Sequence, residues 1–327
     1  MARRLAVLLV IVLAGCSDFL TPDDLVPKTA ERDARLPSRV ITVAGMRRAI
    51  HLRTFGADSN PPLLVLHGSL GDSRAFLPLA SLADRYHVVL WDQRGNGLSE
   101  RVPRAEYSFD LMVDEIEAVA DAVAPGRPVT LVGHSFGAMY SALFMSRRPA
   151  RVREAVLVEP GGLTGAIMQE TFQVAINVNL FERNYTETLW QNLALTPADH
   201  ERMDYKALLV LTNGRQTNYF CDRDRPPRLP VWRPGAYVEA IRGELLGNGV
   251  RAPDYDFSTG LDTLDRRVLF VTGSCSALNG AFQQRWHLPR FRRASLVELP
   301  NVGHRLMVEN PAAFDAILRG FLAEYQR

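Results

Sequence analysis

The fold of this chain is decided by the stretch Pro128–Phe144, PVTLVGHSFGAMYSALF. Its first half is an apolar run of strand length, its second half is rich in helix formers, and Gly133-His-Ser-Phe-Gly137 lies between them. This order predicts a strand, a sharp turn and a helix. A serine at such a turn, here Ser135, holds its hydroxyl clear of the sheet beside the helix N-terminus, which favours an oxyanion. The alternative interpretation is a glycine-rich turn in another kind of α/β protein.

Short apolar runs recur along the chain, with helical segments between them. Together they predict an α/β fold with an eight-stranded, mostly parallel, doubly wound sheet, whose functional site lies at the carboxyl ends of the strands. The predicted strands lie at residues 40–43, 49–55, 63–66, 87–91, 128–132, 155–158, 268–271 and 295–299.

One interval breaks this alternation and divides the chain. Residues 162–261 are rich in helical patterns, at 167–185, 187–195 and 237–246, and contain few strand-like runs. We therefore predict a helical cap inserted after the sixth strand, at 162–261, between two parts of one core domain at 39–161 and 262–327.

The first residues have the pattern of a targeting segment. Arg3 and Arg4 precede an apolar run too short to span a bilayer comfortably, and Leu13-Ala-Gly-Cys16 follows. This tetrad resembles the lipobox of bacterial lipoproteins, which implies a signal peptide at 1–16, lipid on Cys16 and anchorage in the bacterial cell envelope. Ser17 after the cysteine favours the periplasmic side of the outer membrane. The alternative is an ordinary signal peptide, and 17–38 is predicted to be a flexible tether.

The balance of acidic and basic residues limits which kinds of partner the sequence predicts. The chain has 38 basic and 36 acidic residues, and two of the bases lie in the predicted signal segment, so the remainder is electrically balanced. We therefore predict no nucleic-acid partner and no membrane contact apart from the lipid anchor. No metal-ligand spacing or phosphate loop is evident, so no cofactor is predicted. Cys221 and Cys275 are hypothesised to form a disulfide, and two free thiols are the alternative.

A serine nucleophile needs a general base, and His304 is the predicted one. The chain has seven histidines, and His304 follows the last predicted strand in Asn301-Val-Gly-His304. That position places an imidazole over the strand ends, in the chain order expected for a nucleophile on an earlier strand. A structural or solvated histidine is the alternative.

The third group of such a site is an acid that orients the base, and we assign it to Glu159. The loop after the seventh strand, Thr272–Asn279, contains no carboxylate, whereas Glu159 ends the sixth strand. An acid there would reach the same imidazole from the neighbouring strand. A capping or ion-paired glutamate is the alternative, and Asp262 and Asp265 are weaker candidates because they precede the seventh strand.

Two backbone N–H groups are predicted to form the oxyanion hole. One belongs to Phe136, directly after the nucleophile, and the other to Ser69 in the glycine-containing loop His67–Gly71. Glycines let the backbone approach a substrate closely. A plain strand-ending turn is compatible with the same residues.

Taken together, these motifs resemble those of the α/β-hydrolase fold, in its large first subfamily. The resemblance rests on His67-Gly68, on Asp92–Ser99 (DQRGNGLS), on the turn around Ser135 and on Asn301–His304. It covers residues 40–160 and 262–327. The missing seventh-strand acid departs from the common pattern and is similar to haloalkane dehalogenases and some lipases. A serine nucleophile argues against dehalogenation, which uses a carboxylate.

The sequence therefore predicts a serine hydrolase that cleaves an ester or amide of a small substrate. An apolar acyl pocket could be lined by aromatic residues of the cap, and the alternative is that they form core: Phe172, Phe181, Tyr185, Trp190, Tyr219 and Trp232. One alternative is an aminopeptidase similar to prolyl iminopeptidases, which hold an amine with cap carboxylates such as Glu170, Glu182, Glu187 or Glu239. Another is a binding protein without activity on this fold. The sequence does not specify an oligomeric state.

Overall fold

The structure is a computed structural model that describes residues 26–175, 200–213, 220–222, 230–246 and 254–323. Its centre is an eight-stranded sheet with the order β1-β2-β4-β3-β5-β6-β7-β8, in which β2 is antiparallel to both its neighbours and the other neighbours run parallel. This arrangement confirms the predicted fold class. The strands are β1 Ser38–Val43, β2 Met46–Phe55, β3 Pro62–Leu66, β4 His87–Trp91, β5 Val129–His134, β6 Val152–Val158, β7 Arg267–Gly273 and β8 Arg293–Leu299.

Helices cover both faces of this sheet. The α-helices are α1 Phe109–Val123, α2 Phe136–Arg147, α3 Gly165–Ala175, α4 His200–Asn213, α5 Ala236–Leu246, α6 Gly280–Trp286, α7 Leu306–Glu309 and α8 Pro311–Ala323. Short 3₁₀ segments lie at Ser73–Asp84, Arg104–Glu106, Pro149–Arg151 and Leu288–Arg290.

The central strands are apolar on both sides because each side is covered. In β3, Leu64 and Leu66 pack in the cluster that contains α1 and α2, whereas Leu63 and Val65 pack in the cluster that contains Phe314 of α8. Successive strand side chains point to opposite faces, so one continuous apolar run serves two cores. Strand β8 lies at the sheet edge and is mostly exposed.

The interval between β6 and β7 holds α3, α4 and α5. Residues of α3 and α5 line a cavity together with the loops that follow β3 and β5. The predicted helix at 187–195 lies outside the described residues.

The N-terminal part of the described chain corrects one prediction. Val26, Thr29 and Ala30 are buried, and the N–H of Ala30 donates to the carbonyl of Leu98 at 2.7 Å. The predicted tether at 17–38 is therefore held on the domain at Val26, Thr29 and Ala30, whereas most of residues 31–38 are exposed. Isolated apolar residues without periodicity gave no signal of this packing.

The predicted signal peptide, Cys16 and residues 17–25 lie outside the described residues. Within the described ranges, no helix combines the length and apolarity that crossing a bilayer requires.

Candidate active site

Ser135 occupies a strained turn between β5 and α2. Its φ is 53° and its ψ is −116°, in a region that side-chain-bearing residues rarely adopt. A Cβ on Gly137 would collide with the carbonyl oxygens of Leu66 and His67, and one on Gly133 would collide with Gly137 itself. Glycine at these two positions therefore allows β3 and α2 to approach the turn closely enough to hold Ser135 in place.

His304 lies in the loop between β8 and α7, over the strand ends. This loop is fixed by Glu309, whose carboxylate accepts from the N–H of Gly303 at 2.8 Å and from the N–H of Arg305 at 3.1 Å. Nδ1 of His304 lies 2.5 Å from Oε2 of Glu159. The structure thus brings the predicted base and the predicted acid into direct contact.

Glu159 is completely buried at the end of β6. Its Oε1 accepts from the N–H of Gly273 at 2.6 Å, and its Oε2 accepts from the hydroxyl of Ser276 at 2.6 Å. Both donors belong to β7 and its following loop, which contains no carboxylate of its own. That loop holds the acid of the neighbouring strand instead of supplying one.

The electrostatics of this pair follow from burial and hydrogen bonding. Burial raises the pKa of Glu159 to about 8, while the donors Ser276 and Gly273 act in the opposite direction. Burial, followed by the nearby Arg305 guanidinium, lowers the pKa of His304. Because the N–H of Gly273 and the hydroxyl of Ser276 both donate to the Glu159 carboxylate, we assign the shared proton to Nδ1 of His304, which leaves Nε2 as the basic nitrogen.

His134, directly before the predicted nucleophile Ser135, contacts the His304 loop, and no sequence motif predicted this contact. Its Nε2 lies 2.8 Å from the carbonyl oxygen of His304, and the two rings are 4.6 Å apart. Burial lowers the pKa of His134 well below its ordinary value, so the ring is neutral and Nε2 donates. His134 therefore ties the backbone of the His304 loop to the turn that carries Ser135.

The two predicted oxyanion residues lie on either side of this turn. Phe136 is the first residue of α2, so its N–H has no acceptor within the helix. The loop of Ser69 lies directly against Ser135, the predicted nucleophile, because a Cβ on Gly68 would lie 3.0 Å from Cβ of Ser135. His67 holds this loop, with Nδ1 2.8 Å from the carbonyl oxygen of Gly68.

The DQRGNGLS loop ties the surrounding loops together. The carboxylate of Asp92 accepts from the N–H of Ser73 at 2.8 Å and from the N–H of Leu98 at 2.7 Å. Arg94 pairs with Glu115 at 2.6 Å, and both side chains are buried. Asp92, Arg94 and Glu115 all have hydrogen-bond partners, which offset the cost of burying these polar side chains.

A cavity of about 300 Å³ joins these residues to the cap. Ser135, His304, Ser69 and Phe136 all line it. Its apolar lining includes Phe76, Met139, Met168, Leu246, Leu278 and Met307.

The predicted aromatic lining of this cavity needs a correction. Trp232, the one member whose side chain is described, does not line the cavity but packs against His51, with 5.3 Å between ring centroids. Side chains of the other five, Phe172, Phe181, Tyr185, Trp190 and Tyr219, lie outside the described residues. Among the described residues, the apolar lining comes from methionine and leucine side chains together with Phe76 and Phe136, which belong to the core domain.

The two weaker acid candidates, Asp262 and Asp265, lie away from His304. Asp262 and Asp265 precede β7 at the end of the sheet opposite to His304, and Asp265 pairs with Arg293 at 3.3 Å.

Cys221 and Cys275 are joined by a disulfide with 5.0 Å between their Cα atoms. Since Cys275 precedes Ser276, this bond connects the cap segment to the loop that holds Glu159.

Comparison with known proteins identifies the family of this chain. Residues 63–317 match the alpha/beta hydrolase family. This is more than half of the chain, and the protein therefore belongs to that family.

Two relatives of known name are hydrolases. A 2-(acetamidomethylene)succinate hydrolase of Mesorhizobium japonicum is 36% identical over 114 residues, which are 35% of this chain and 40% of that protein. A putative carbamate hydrolase, RutD, of Pseudomonas syringae is 26% identical over 269 residues, 81% of this chain and 95% of that protein. The first match thus spans less than half of its relative's length.

A solved structure shares the fold along the whole chain. A membrane phospholipase A, described as a bacterial virulence factor, superposes with a TM-score of 0.61 and 22% identity, covering 100% of both chains. At this identity the likeness concerns the fold.

Proposed function

We propose that this protein is a serine hydrolase that cleaves an ester, or less readily an amide, of a small apolar substrate through an acyl-enzyme. One observation carries the proposal. Ser135, held at a strained turn, lines the same cavity as His304, whose Nδ1 lies 2.5 Å from the buried carboxylate of Glu159. Strain at such a position persists only where the surrounding structure maintains it, and it is typical of functional sites.

The chemistry follows from the roles of these groups. Nε2 of His304 accepts the hydroxyl proton as Ser135 Oγ attacks the substrate carbonyl, and Glu159 stabilises the resulting imidazolium. The N–H groups of Phe136 and Ser69 stabilise the oxyanion of the tetrahedral intermediate. His304 returns the proton to the leaving group, which departs and leaves the acyl-enzyme. A water molecule then gives a proton to His304 as it attacks the acyl carbonyl, and His304 passes that proton to Ser135 Oγ as the carboxylic acid is released.

The cavity lining supports an uncharged, apolar substrate. Its described carboxylate in the cap, Glu239, already pairs with Arg242 at 2.9 Å and accepts from Ser69 at 2.7 Å. A carboxylate with these partners offers little attraction for the free amine of a peptide. The described part of the cap therefore favours ester cleavage over aminopeptidase activity.

Labelling and turnover together test this proposal. The domain is expressed from residue 26 and treated with a fluorophosphonate, which labels activated serines, and with p-nitrophenyl butyrate. We expect the wild type to react with both and Ser135→Ala with neither, because only the alkoxide-forming hydroxyl is lost. Activity on proline p-nitroanilide without ester turnover would favour the aminopeptidase. A wild type inert to every reagent would favour a binding protein.

We also propose that Cys16 carries lipid and anchors the protein in the bacterial cell envelope, at the outer membrane. The support is the Leu13–Cys16 tetrad after an apolar run. Metabolic labelling of the full chain with a fatty acid tests it. We expect label in the wild type and none in Cys16→Ser, and equal labelling of both chains would contradict the proposal.

A further inference from the structure

Helix α5 of the cap carries an ion pair, Glu239–Arg242, that contacts Ser69 in the loop His67–Gly71. The hydroxyl of Ser69 donates to Oε2 of Glu239 at 2.7 Å, and Nη1 of Arg242 donates to the same oxygen at 2.9 Å. The Arg242 side chain is 2% exposed and that of Glu239 is 29% exposed. The guanidinium is thus buried, and the carboxylate is partly buried, at the point where the cap meets the predicted active site.

The same arginine contacts the first turn of α2. Its guanidinium carbon lies 4.6 Å from the ring centroid of Phe136, and its Nε donates to the hydroxyl of Tyr140 at 3.2 Å. Phe136 and Tyr140 are one helical turn apart, so the guanidinium spans the N-terminus of α2. That N-terminus presents the N–H predicted to receive the oxyanion.

These contacts are more than packing requires. Apolar residues would join α5 to the core without the cost of removing the Arg242 guanidinium from water. Here the charged groups are aimed at two particular residues, Ser69 and Phe136, that lie on separate loops of the core. A hydroxyl bonded to a fixed carboxylate restricts the rotation of Ser69, and an aromatic ring beneath a buried cation is restricted in the same way.

We infer that Glu239 and Arg242 are positioning residues that hold the two donors of the oxyanion hole in their working geometry. This inference rests on the proposed serine hydrolase function. Glu239 acts through the side chain of Ser69, and Arg242 acts through the ring of Phe136. The oxyanion hole is then complete only when α5 lies in this position over the core.

Variants of Ser69 and Glu239 provide the test. Steady-state turnover of p-nitrophenyl butyrate is measured for Ser69→Ala, Glu239→Ala, Glu239→Gln and the double variant Ser69→Ala/Glu239→Ala. The matched control is Glu244→Ala, on the same helix, because Glu244 is exposed and pairs only with exposed Arg104 among the interactions described for it. Melting temperatures are recorded for every protein.

We expect Ser69→Ala and Glu239→Ala each to lose about tenfold in kcat with KM nearly unchanged, the effect of losing a charge-assisted hydrogen bond. The double variant should fall no further than Glu239→Ala, because both changes break one interaction. Glu239→Gln should recover most of the activity, since its amide oxygen can accept from Ser69. Glu244→Ala should match the wild type.

A Ser69→Ala variant with the kcat of the wild type would overturn the inference, and so would additive losses in the double variant. The Ser69 variant keeps this result interpretable if Glu239→Ala fails to fold. If the wild type is active and one of these two results is found, the positioning role is refuted while the proposed function stands. A wild type that neither labels nor hydrolyses the ester refutes the proposed function, and the inference fails with it.

Discussion

Replacing Glu159 by glutamine tests how the predicted base is oriented. The carboxylate accepts from Gly273 through Oε1, and from Ser276 and His304 through Oε2. Glutamine has one oxygen and one NH₂ group to occupy the positions of Oε1 and Oε2. If the NH₂ group faced the N–H of Gly273, two fixed donors would meet at 2.6 Å. We therefore expect the NH₂ group to take the place of Oε2.

That orientation determines the tautomer of His304. The Ser276 hydroxyl can rotate to accept from the NH₂ group, but Nδ1 must give up its proton and become an acceptor. The proton then lies on Nε2, which can no longer receive a proton from Ser135. In serine hydrolases this loss costs about 10³–10⁴-fold in kcat, or about 4–5 kcal/mol of transition-state stabilisation.

The assay is kcat on p-nitrophenyl butyrate for Glu159→Gln, with the wild type and Ser135→Ala as limits. The matched control is Glu154→Gln, which makes the same change on the same strand at its other end, where Glu154 is buried and lies 3.4 Å from Arg267. We expect the control to keep its kcat within about threefold of the wild type. A Glu159→Gln enzyme within about tenfold of the wild type would refute the orienting role.

Two further predictions concern pH and redox state. Deprotonated His304 is the base and burial lowers its pKa, so kcat/KM should fall only as the pH drops below about 6.5. The acid limb should move to still lower pH in Glu159→Gln, which lacks the carboxylate that favours the imidazolium; a pH–rate profile with its limb above 7 would contradict this. Reduction of the disulfide, or Cys221→Ser, should lower the free energy of unfolding by about 2–4 kcal/mol, because the bond closes a loop with a sequence separation of 54. Calorimetry with and without reductant checks it, and an unchanged melting temperature in the wild type would count against it.

Local patterns were sufficient to predict the fold and to propose several candidate site residues. The stretch around Ser135 predicts its own strand, turn and helix, because a positive φ and two close backbone approaches demand residues of particular size at fixed spacing. Apolar runs that are continuous rather than alternating predict strands buried on both faces, as β3 to β7 are. His304 is predictable because the parallel strands place successive loops at one edge.

Other features had weaker signals. The burial of Val26 and Ala30 rests on isolated contacts with the domain, and no periodic pattern marks them. The donors Gly273 and Ser276 are common loop residues, and only their proximity to Glu159 makes them part of the site. The absence of a carboxylate in their loop pointed to β6, but not to the hydrogen bonds that hold the acid.

The sequence by itself determined the elements, their order and the types of reactive group at the strand ends, because hydrophobic periodicity and turn chemistry act over a few residues. Only the tertiary structure decided which side chains meet. Glu159 reaches His304 because β6, β7 and β8 are adjacent, and Glu239 reaches Ser69 across a sequence separation of 170. Such contacts depend on how the cap packs on the sheet, and a single sequence carries no local pattern that specifies that packing.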